Sequence, residues 1–194
     1  MCMSSRASWE KGKDWIGMMR GRGFGVVLAV ISCKKDWDCI DEHVGAIIVN
    51  DGCCNEEDLK VLDLSRFAEL EELTIGDGCF NYVSKVSVVG LKKLKSVSIG
   101  AKSFQNESND SELIVSECPE LVSLSIGNES FKGFKEMKLN SLPSLSTLVV
   151  GSHCFNTVSF VVKDLDSLTS ICLGEGCFEK SHHTVIESAC VSPM

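Results

Sequence analysis

Cysteine has the widest chemical repertoire of the residues in this chain, and it occurs 11 times among 194 residues. Thiols at suitable spacing bind zinc, form disulfides or act as nucleophiles. The sequence contains no Cys-x-x-Cys pair, which argues against a zinc ribbon and against a thioredoxin-type redox site. A cysteine nucleophile needs a nearby base, and the spacing of His43 and His153 gives no support for such a pair.

Two further groups of residues are candidates for metal binding. Asp36–His43 carries four carboxylates, but a calcium loop that began at Asp36 would place Asp41 at its sixth position, where glycine is required. His182 and His183 are adjacent, and adjacent side chains of a strand point to opposite faces. Phosphate-binding, zinc-protease and hydrolase motifs are absent from the sequence. We therefore expect a solvated turn at Asp36–His43 and a non-enzymatic protein with no metal or cofactor.

The charge of the chain restricts its partners. It carries 27 acidic and 19 basic residues, which gives a formal net charge of −8 at pH 7. Nucleic acid requires a basic surface, and single strands also require aromatic side chains for stacking, yet this chain has one tyrosine and three tryptophans. We expect a protein partner and no nucleic acid. A hydrophobic fraction of 44% predicts a folded core.

Many of the cysteines lie in a phrase of six residues that the chain repeats. The clear copies are IGDGCF from Ile75, IGAKSF from Ile99, IGNESF from Ile126, VGSHCF from Val150 and LGEGCF from Leu173. Their glycines follow one another at intervals of 24, 27, 24 and 23 residues, and a degenerate copy, VNDGCC, begins at Val49. Self-similarity at this period is typical of stacked repeats, which bury their apolar faces against neighbouring copies.

Apolar residues before and after each phrase predict two short strands per repeat. In the first clear copy Leu73 and Ile75 alternate with polar residues, and Val86 and Val88 do so about ten residues past the glycine. The glycine is expected to let the chain turn. We predict a mainly β solenoid of about six coils over residues 44–190, with parallel stacking and little helix. Residues 1–43 would form a non-repeat segment and 191–194 a tail.

The last two positions of the phrase predict how the core is built. Phenylalanine ends every clear copy, which favours an aromatic spine inside the solenoid, at Phe80, Phe104, Phe131, Phe155 and Phe178. The preceding position is cysteine or serine, at Cys79, Ser103, Ser130, Cys154 and Cys177. Because serine replaces cysteine at two of the five, a disulfide ladder is excluded and a small buried side chain is expected.

The pattern L-x-x-L-x-[ILV]-G-x-x-[CS]-F resembles leucine-rich repeats, and most closely the BspA-like subfamily. The resemblance covers residues 44–190 and implies a leucine-rich-repeat-type solenoid that binds ligands, often at cell surfaces. It implies no fixed binding residues. Two departures stand out: cysteine or serine replaces the usual alanine before the phenylalanine, and the usual asparagine is missing. An asparagine ladder is therefore not expected at Gly78 and its equivalents, and a ladder of small residues is expected in its place.

The residues between the apolar positions of the first strand should point outward and form a face for partner binding. They are Glu72, Thr74, Ser96, Ser98, Ser123, Ser125, Thr147, Val149 and Ser170, followed by Cys172. An insertion at Gln105–Glu112 should form a surface loop. Asn106, Asn109 and Asn128 lie in weak N-x-S glycosylation sequons. We expect a scaffold for protein–protein interaction along this face; the alternative is a secreted or membrane-anchored surface adhesin of the BspA-like type.

The two ends of the chain leave further alternatives open. Phe24–Ser32 is an apolar stretch of nine residues, too short to span a bilayer. It is either the first strand of a cap or, with Arg20 and Arg22 before it, the core of a signal peptide. We favour the cap strand and a cytoplasmic location, with secretion or the cell surface as the alternative. The sequence has no evident C-terminal cap, so self-association is expected through the edge at Cys177–Met194.

Overall fold

The computed structural model describes residues 26–155, 159–179 and 183–187, which form a parallel β-solenoid. Sheet A contains β1 Leu28–Ile31, β2 Ala46–Val49, β4 Glu72–Ile75, β6 Ser96–Ile99, β8 Ser123–Ile126, β10 Thr147–Val150 and β12 Ser170–Leu173. Sheet B contains β3 Val61–Asp63, β5 Lys85–Val89, β7 Glu112–Ser116, β9 Glu136–Asn140, β11 Ser159–Lys163 and β13 His183–Glu187. A short helix, α1 Lys34–Asp38, follows β1. The predicted mainly β solenoid with little helix is confirmed.

From β2 onward each coil contributes one strand to each sheet, whereas β1 has no counterpart in sheet B among the described residues. Equivalent residues of successive coils pair without slippage. Leu73 pairs with Val97, Val97 with Leu124 and Leu124 with Leu148 along sheet A. These side chains point between the two sheets and are buried, while the residues between them point outward. The register is uniform because a slip of one residue would move every apolar side chain to the solvent side.

The predicted aromatic spine is present at the corner between the two sheets. Phe80, Phe104, Phe131 and Phe155 are fully buried, and successive rings from Phe80 to Phe178 stack with centroids 4.5 to 5.5 Å apart. All five phenylalanines have left-handed backbone, with φ between 52° and 57°. That conformation costs a bulky residue roughly 1–2 kcal/mol, which burial of the ring in the stack offsets.

The glycine at the second position of each phrase has a different role from the one predicted. The glycines at this position lack a positive φ, so turning does not require them; the left-handed glycines of the phrase are Gly78 and Gly176. A methyl group on Gly100 would instead lie 2.5 Å from the carbonyl carbon of Gly76 in the preceding coil. The glycine column therefore allows close approach of neighbouring coils. The prediction of a turn function at these glycines was wrong, because coil stacking and not backbone conformation sets the requirement.

The N-terminal end of the solenoid is covered by the segment that contains α1. Within the apolar stretch, residues 28–31 form β1, which extends sheet A by pairing with β2. Trp37 of α1 is 6% exposed and packs edge-on against Phe67 and Phe80, with ring centroids 6.0 and 5.4 Å away. The solvated turn predicted at Asp36–His43 was thus wrong for its first part, because Trp37 is an apolar anchor for the exposed end of the core. No helix in the described part of the chain is long and apolar enough to cross a membrane.

Candidate functional site

The predicted binding face is the outer surface of sheet A. All the residues predicted to line it are on the solvent side of their strands, namely Glu72, Thr74, Ser96, Ser98, Ser123, Ser125, Thr147, Val149 and Ser170. They form two columns across the sheet, since Ser96 pairs with Ser123 and Ser98 with Ser125. Strands β1 and β2 extend the columns with apolar residues, among them Val30 and Ile48, which are exposed. Neighbouring side chains within a column are about 4.8 Å apart, the spacing of paired strands.

The outer face of sheet A is almost free of charge. Each of its seven strands supplies two outward positions, and among these Glu72 alone carries a charged side chain. Throughout the described residues, no group forms a hydrogen bond with the hydroxyls of Ser98, Ser123 or Ser125. The centre of the face is therefore lined by small side chains with hydroxyls that are unpaired within the described residues, while β1 and β2 add an apolar part.

The outer face of sheet B has the opposite character. Lys85 lies 3.6 Å from a carboxylate oxygen of Asp110 and 3.9 Å from one of Glu112, and Lys138 lies 2.9 Å from Glu136. Exposed ion pairs of this kind contribute little to stability, but they hold bound water and make a surface expensive to desolvate. The two faces thus differ in charge although their backbones are alike.

A charged rim borders sheet A at the turns that precede its strands. Lys95 donates a hydrogen bond of 2.6 Å to Glu71, and Lys93 is paired with Glu69, each two residues earlier in its turn. These hydrogen bonds raise the pKa of both lysines above the ordinary value. Val122 is exposed on the same rim. Sequence reasoning missed the rim because these residues lie outside the alternating strand pattern.

A ladder of hydrogen bonds behind the face keeps the coils in register. The hydroxyl of Ser103 donates to the carbonyl of Gly76 at 3.0 Å and accepts from the amide of Cys79 at 3.1 Å. The Cys154 thiol likewise donates to the carbonyl of Gly127, at 3.2 Å. The expected ladder of small residues is therefore present. Burial raises the pKa of the Cys154 thiol to about 12, so this thiol remains protonated at neutral pH and acts as a structural donor.

A second ladder, which the sequence analysis did not predict, follows the spine. The side-chain amide of Asn55 donates to the carbonyl of Gly78 at 2.7 Å, and its oxygen accepts from the amide of Asn81 at 2.8 Å. Gln105 continues the series: its backbone amide donates to the side-chain oxygen of Asn81, and its side-chain amide donates to the carbonyl of Glu129 in the next coil. An amide ladder therefore exists one residue after the phenylalanine. Its signal was the polar amide that follows the phrase in CCN, CFN and SFQ.

The remaining candidates for chemistry are dispersed. In the described residues, no group of three or more histidine, cysteine, aspartate or glutamate side chains could hold a metal ion. His182 lies outside the described residues. In the insertion, Asn106 donates to the carbonyl of Tyr82, while Asn109 is exposed. Asn128 accepts a hydrogen bond from the amide of Ser152, so its side chain is used in the fold.

Comparison with known proteins identifies no relative for this chain. No protein-family model matches it, and no curated protein or solved structure is significantly similar. The parallel β-solenoid and its two faces are therefore the basis for the functional argument.

Proposed function

We propose that this protein is a non-enzymatic scaffold of the leucine-rich-repeat type, which binds a protein partner along the outer face of sheet A. The observation that carries the proposal is the charge contrast between the sheets. A chain with a net charge of −8 has a seven-stranded face with Glu72 as its single charged side chain. Interface cores are depleted in charged residues, because burial of a charge is costly unless it is paired.

The relief of the face suggests what its partner contributes. The outward side chains at the centre of the sheet are small, with Ser98, Ser123, Ser125 and Thr147 in adjacent coils. Small residues leave no protruding anchor, so the large aromatic or arginine side chains that dominate most interfaces would come from the partner. The hydroxyls of Ser98, Ser123 and Ser125, which have no partner among the described residues, would then exchange hydrogen bonds with polar groups of that partner.

The finer assignment to the BspA-like subfamily is part of the same proposal, and it rests on the repeated phrase. A surface adhesin would use the same face outside the cell. The scaffold and the adhesin hypotheses share the same binding face and differ only in cellular location. One binding experiment therefore tests that face for both hypotheses.

The test compares two double variants in an affinity capture with quantitative mass spectrometry. Ser123→Glu with Ser125→Glu adds two charges to sheet A, and Ser87→Glu with Ser116→Glu adds the same charges at equally half-buried positions of sheet B. Each change is expected to cost within about 0.5 kcal/mol of stability, as is usual for surface sites. We expect proteins that the wild type and the sheet B variant both retain, and that the sheet A variant loses. Loss with the sheet B variant alone, or equal retention by both variants, would overturn the proposal.

A further inference from the structure

The two ends of the described solenoid are covered unequally. At the N-terminal end Ile31 is 2% exposed beneath α1. At the other end, Ile171 and Leu173 of β12 are 58% and 46% exposed. Their register partners in β10, Leu148 and Val150, are each 1% exposed. Side chains at core positions therefore face solvent along β12.

Strand β12 also has a free backbone edge. It pairs with β10 and is the terminal strand of sheet A in the described residues. The amide of Ser170 donates to the carbonyl of Ser146 at 3.0 Å, and the amide of Gly174 donates to the carbonyl of Val150 at 2.7 Å. Alternate residues of a parallel strand direct their backbone groups to opposite neighbours. The amides and carbonyls of Ile171 and Leu173 consequently face away from β10, toward the free edge.

We infer that β12 is a dimerisation edge, on which a second copy of this chain docks its own β12 antiparallel to the first around a twofold axis at Cys172. This register places Ile171 opposite Leu173 of the second copy, so that each such pair exchanges two backbone hydrogen bonds. The strand SICL carries no charge that would oppose its own copy. The same axis brings Ile171 and Leu173 of one copy together with Ile171 and Leu173 of the second copy, and so removes these apolar side chains from water.

A second copy is the occupant because the surface complements itself. A twofold contact requires one patch to match its own copy, and an uncharged edge with exposed core side chains meets that condition. Head-to-tail stacking would instead place Ile171 and Leu173 against the other end of the solenoid, where α1 lies against β1 and its Trp37 packs on Phe80. One end coil makes a small interface, and interfaces near or below about 1,000 Å² in total are weak and transient. The dimer should therefore depend strongly on concentration.

The first test is sedimentation velocity of the 194-residue chain over a dilution series under reducing conditions. We expect a monomer–dimer equilibrium for the wild type, and at least a tenfold weaker one for Ile171→Lys. The control is Val61→Lys, which adds the same charge at a position 53% exposed on the opposite end of the solenoid, and which should dimerise like the wild type. Circular dichroism verifies that both variants keep the wild-type fold.

The second test uses the geometry at the twofold axis. Two residues that face each other without exchanging hydrogen bonds have Cα atoms about 4.5 Å apart, which is within the range of a disulfide. Diamide, which accepts the two electrons and two protons of a thiol pair, should link Cys172 to Cys172 of the second copy. Peptide mass spectrometry should identify this link, and Cys172→Ser should abolish it while leaving the non-covalent dimer intact.

Three outcomes would overturn the inference. A wild-type chain that remains monomeric at every concentration would mean that β12 is not a dimerisation edge. A series of species beyond the dimer would indicate head-to-tail stacking. A dimer that forms equally well with Ile171→Lys and links through other cysteines would place the contact elsewhere on the molecule. None of these outcomes bears on partner binding by sheet A, which the double variants test separately.

Discussion

At the scale of single residues, the repeated phrase combines separate physical requirements at neighbouring positions. Its first glycine admits the adjacent coil, and its third residue after the aliphatic position adopts left-handed backbone in every clear copy. That left-handed position is occupied by Gly78 and Gly176 in two coils, but by Lys102, Glu129 and His153 in the others. The cysteine or serine beside it supplies a hydrogen-bond donor to the coil before. Conformation, close contact and hydrogen bonding are thus distributed over adjacent residues.

The two kinds of glycine should respond differently to substitution. Gly78 has φ of 65° and free space where a Cβ would lie, so Gly78→Ala should cost about 1 kcal/mol and Gly78→Asn less, because asparagine tolerates left-handed backbone. At Gly100 a Cβ would meet backbone, so Gly100→Ala should cost more, and Gly100→Asn more still. Urea unfolding of the four variants measures these differences. An asparagine that is better tolerated than alanine at Gly100 would contradict the close-contact role.

The buried thiols should make the protein sensitive to alkaline pH. Burial raises the pKa of Cys154 from an ordinary value of 9.0 to about 12. Between these values the folded chain keeps a proton that the unfolded chain releases, so stability is complete below pH 9 and falls as pH rises toward 12. Urea unfolding at pH 7.5 and 10.5 should show a larger loss of stability for the wild type than for Cys154→Ser, whose hydroxyl does not titrate. Equal losses would show that this thiol contributes nothing to the pH dependence.

At the scale of structural elements, the coil is stable only through its neighbours. Each repeated coil contributes a few residues to each sheet and one phenylalanine ring to the spine. The ring centroid of Phe131 lies 4.5 Å from that of Phe104 in the preceding coil and 5.1 Å from that of Phe155 in the following coil. Phe134 packs edge-on against Phe131 at 4.9 Å, which joins the spine to the corner that leads into sheet B. The spine is therefore the connection between one coil and the next.

Truncation of the central ring should be among the most damaging single changes. Phe131 is fully buried, and Phe131→Ala would leave a cavity between two coils, at a cost of about 3–5 kcal/mol. The free energy of unfolding, measured in urea, tests this value. Phe131→Leu is the matched control, since it fills more of the cavity and should cost less. Unfolding of Phe131→Ala at the wild-type midpoint would contradict the role of the spine.

At the scale of the whole molecule, stability should decline along the described solenoid toward β12. Repeat proteins are stabilised by contacts between adjacent coils, and a terminal coil has such contacts on one side only. At the N-terminal end Trp37 replaces part of the missing contact, whereas β12 leaves Ile171 and Leu173 exposed. The two ends of the solenoid are therefore expected to differ in their tendency to open locally.

Hydrogen exchange at low protein concentration, where the chain is monomeric, measures this asymmetry. Amides of β6 and β8 should be the most protected, those of β2 less so, and those of β12 the least. Raising the concentration should slow exchange in β12 and leave β2 unchanged. Equal protection at the two ends would show that the covering of the core at Trp37 adds no local stability.

Much of the fold was predictable because repetition makes each signal appear several times. Alternation at Leu73 and Ile75 is weak as a single observation, but with five copies in register it predicted both strands of the coil, the spine and the outward face. Strand β1 was predictable as a strand from the apolar run that includes Leu28–Ile31. These features depend on local periodicity, and periodicity is a property of the sequence.

The tertiary structure decided what depends on the distance between coils. Gly76 and Gly100 suggested a turn, yet their role is set by backbone in the preceding coil, which is about 24 residues away in sequence. Trp37 lies in a polar segment and shows no pattern of burial, so its place over the core emerges only when the chain folds. The small, mostly uncharged residues of the sheet A face were predicted, but the ion pairs on sheet B were not, because the register of parallel strands and the loop before β7 bring Lys85 close to Asp110 and Glu112.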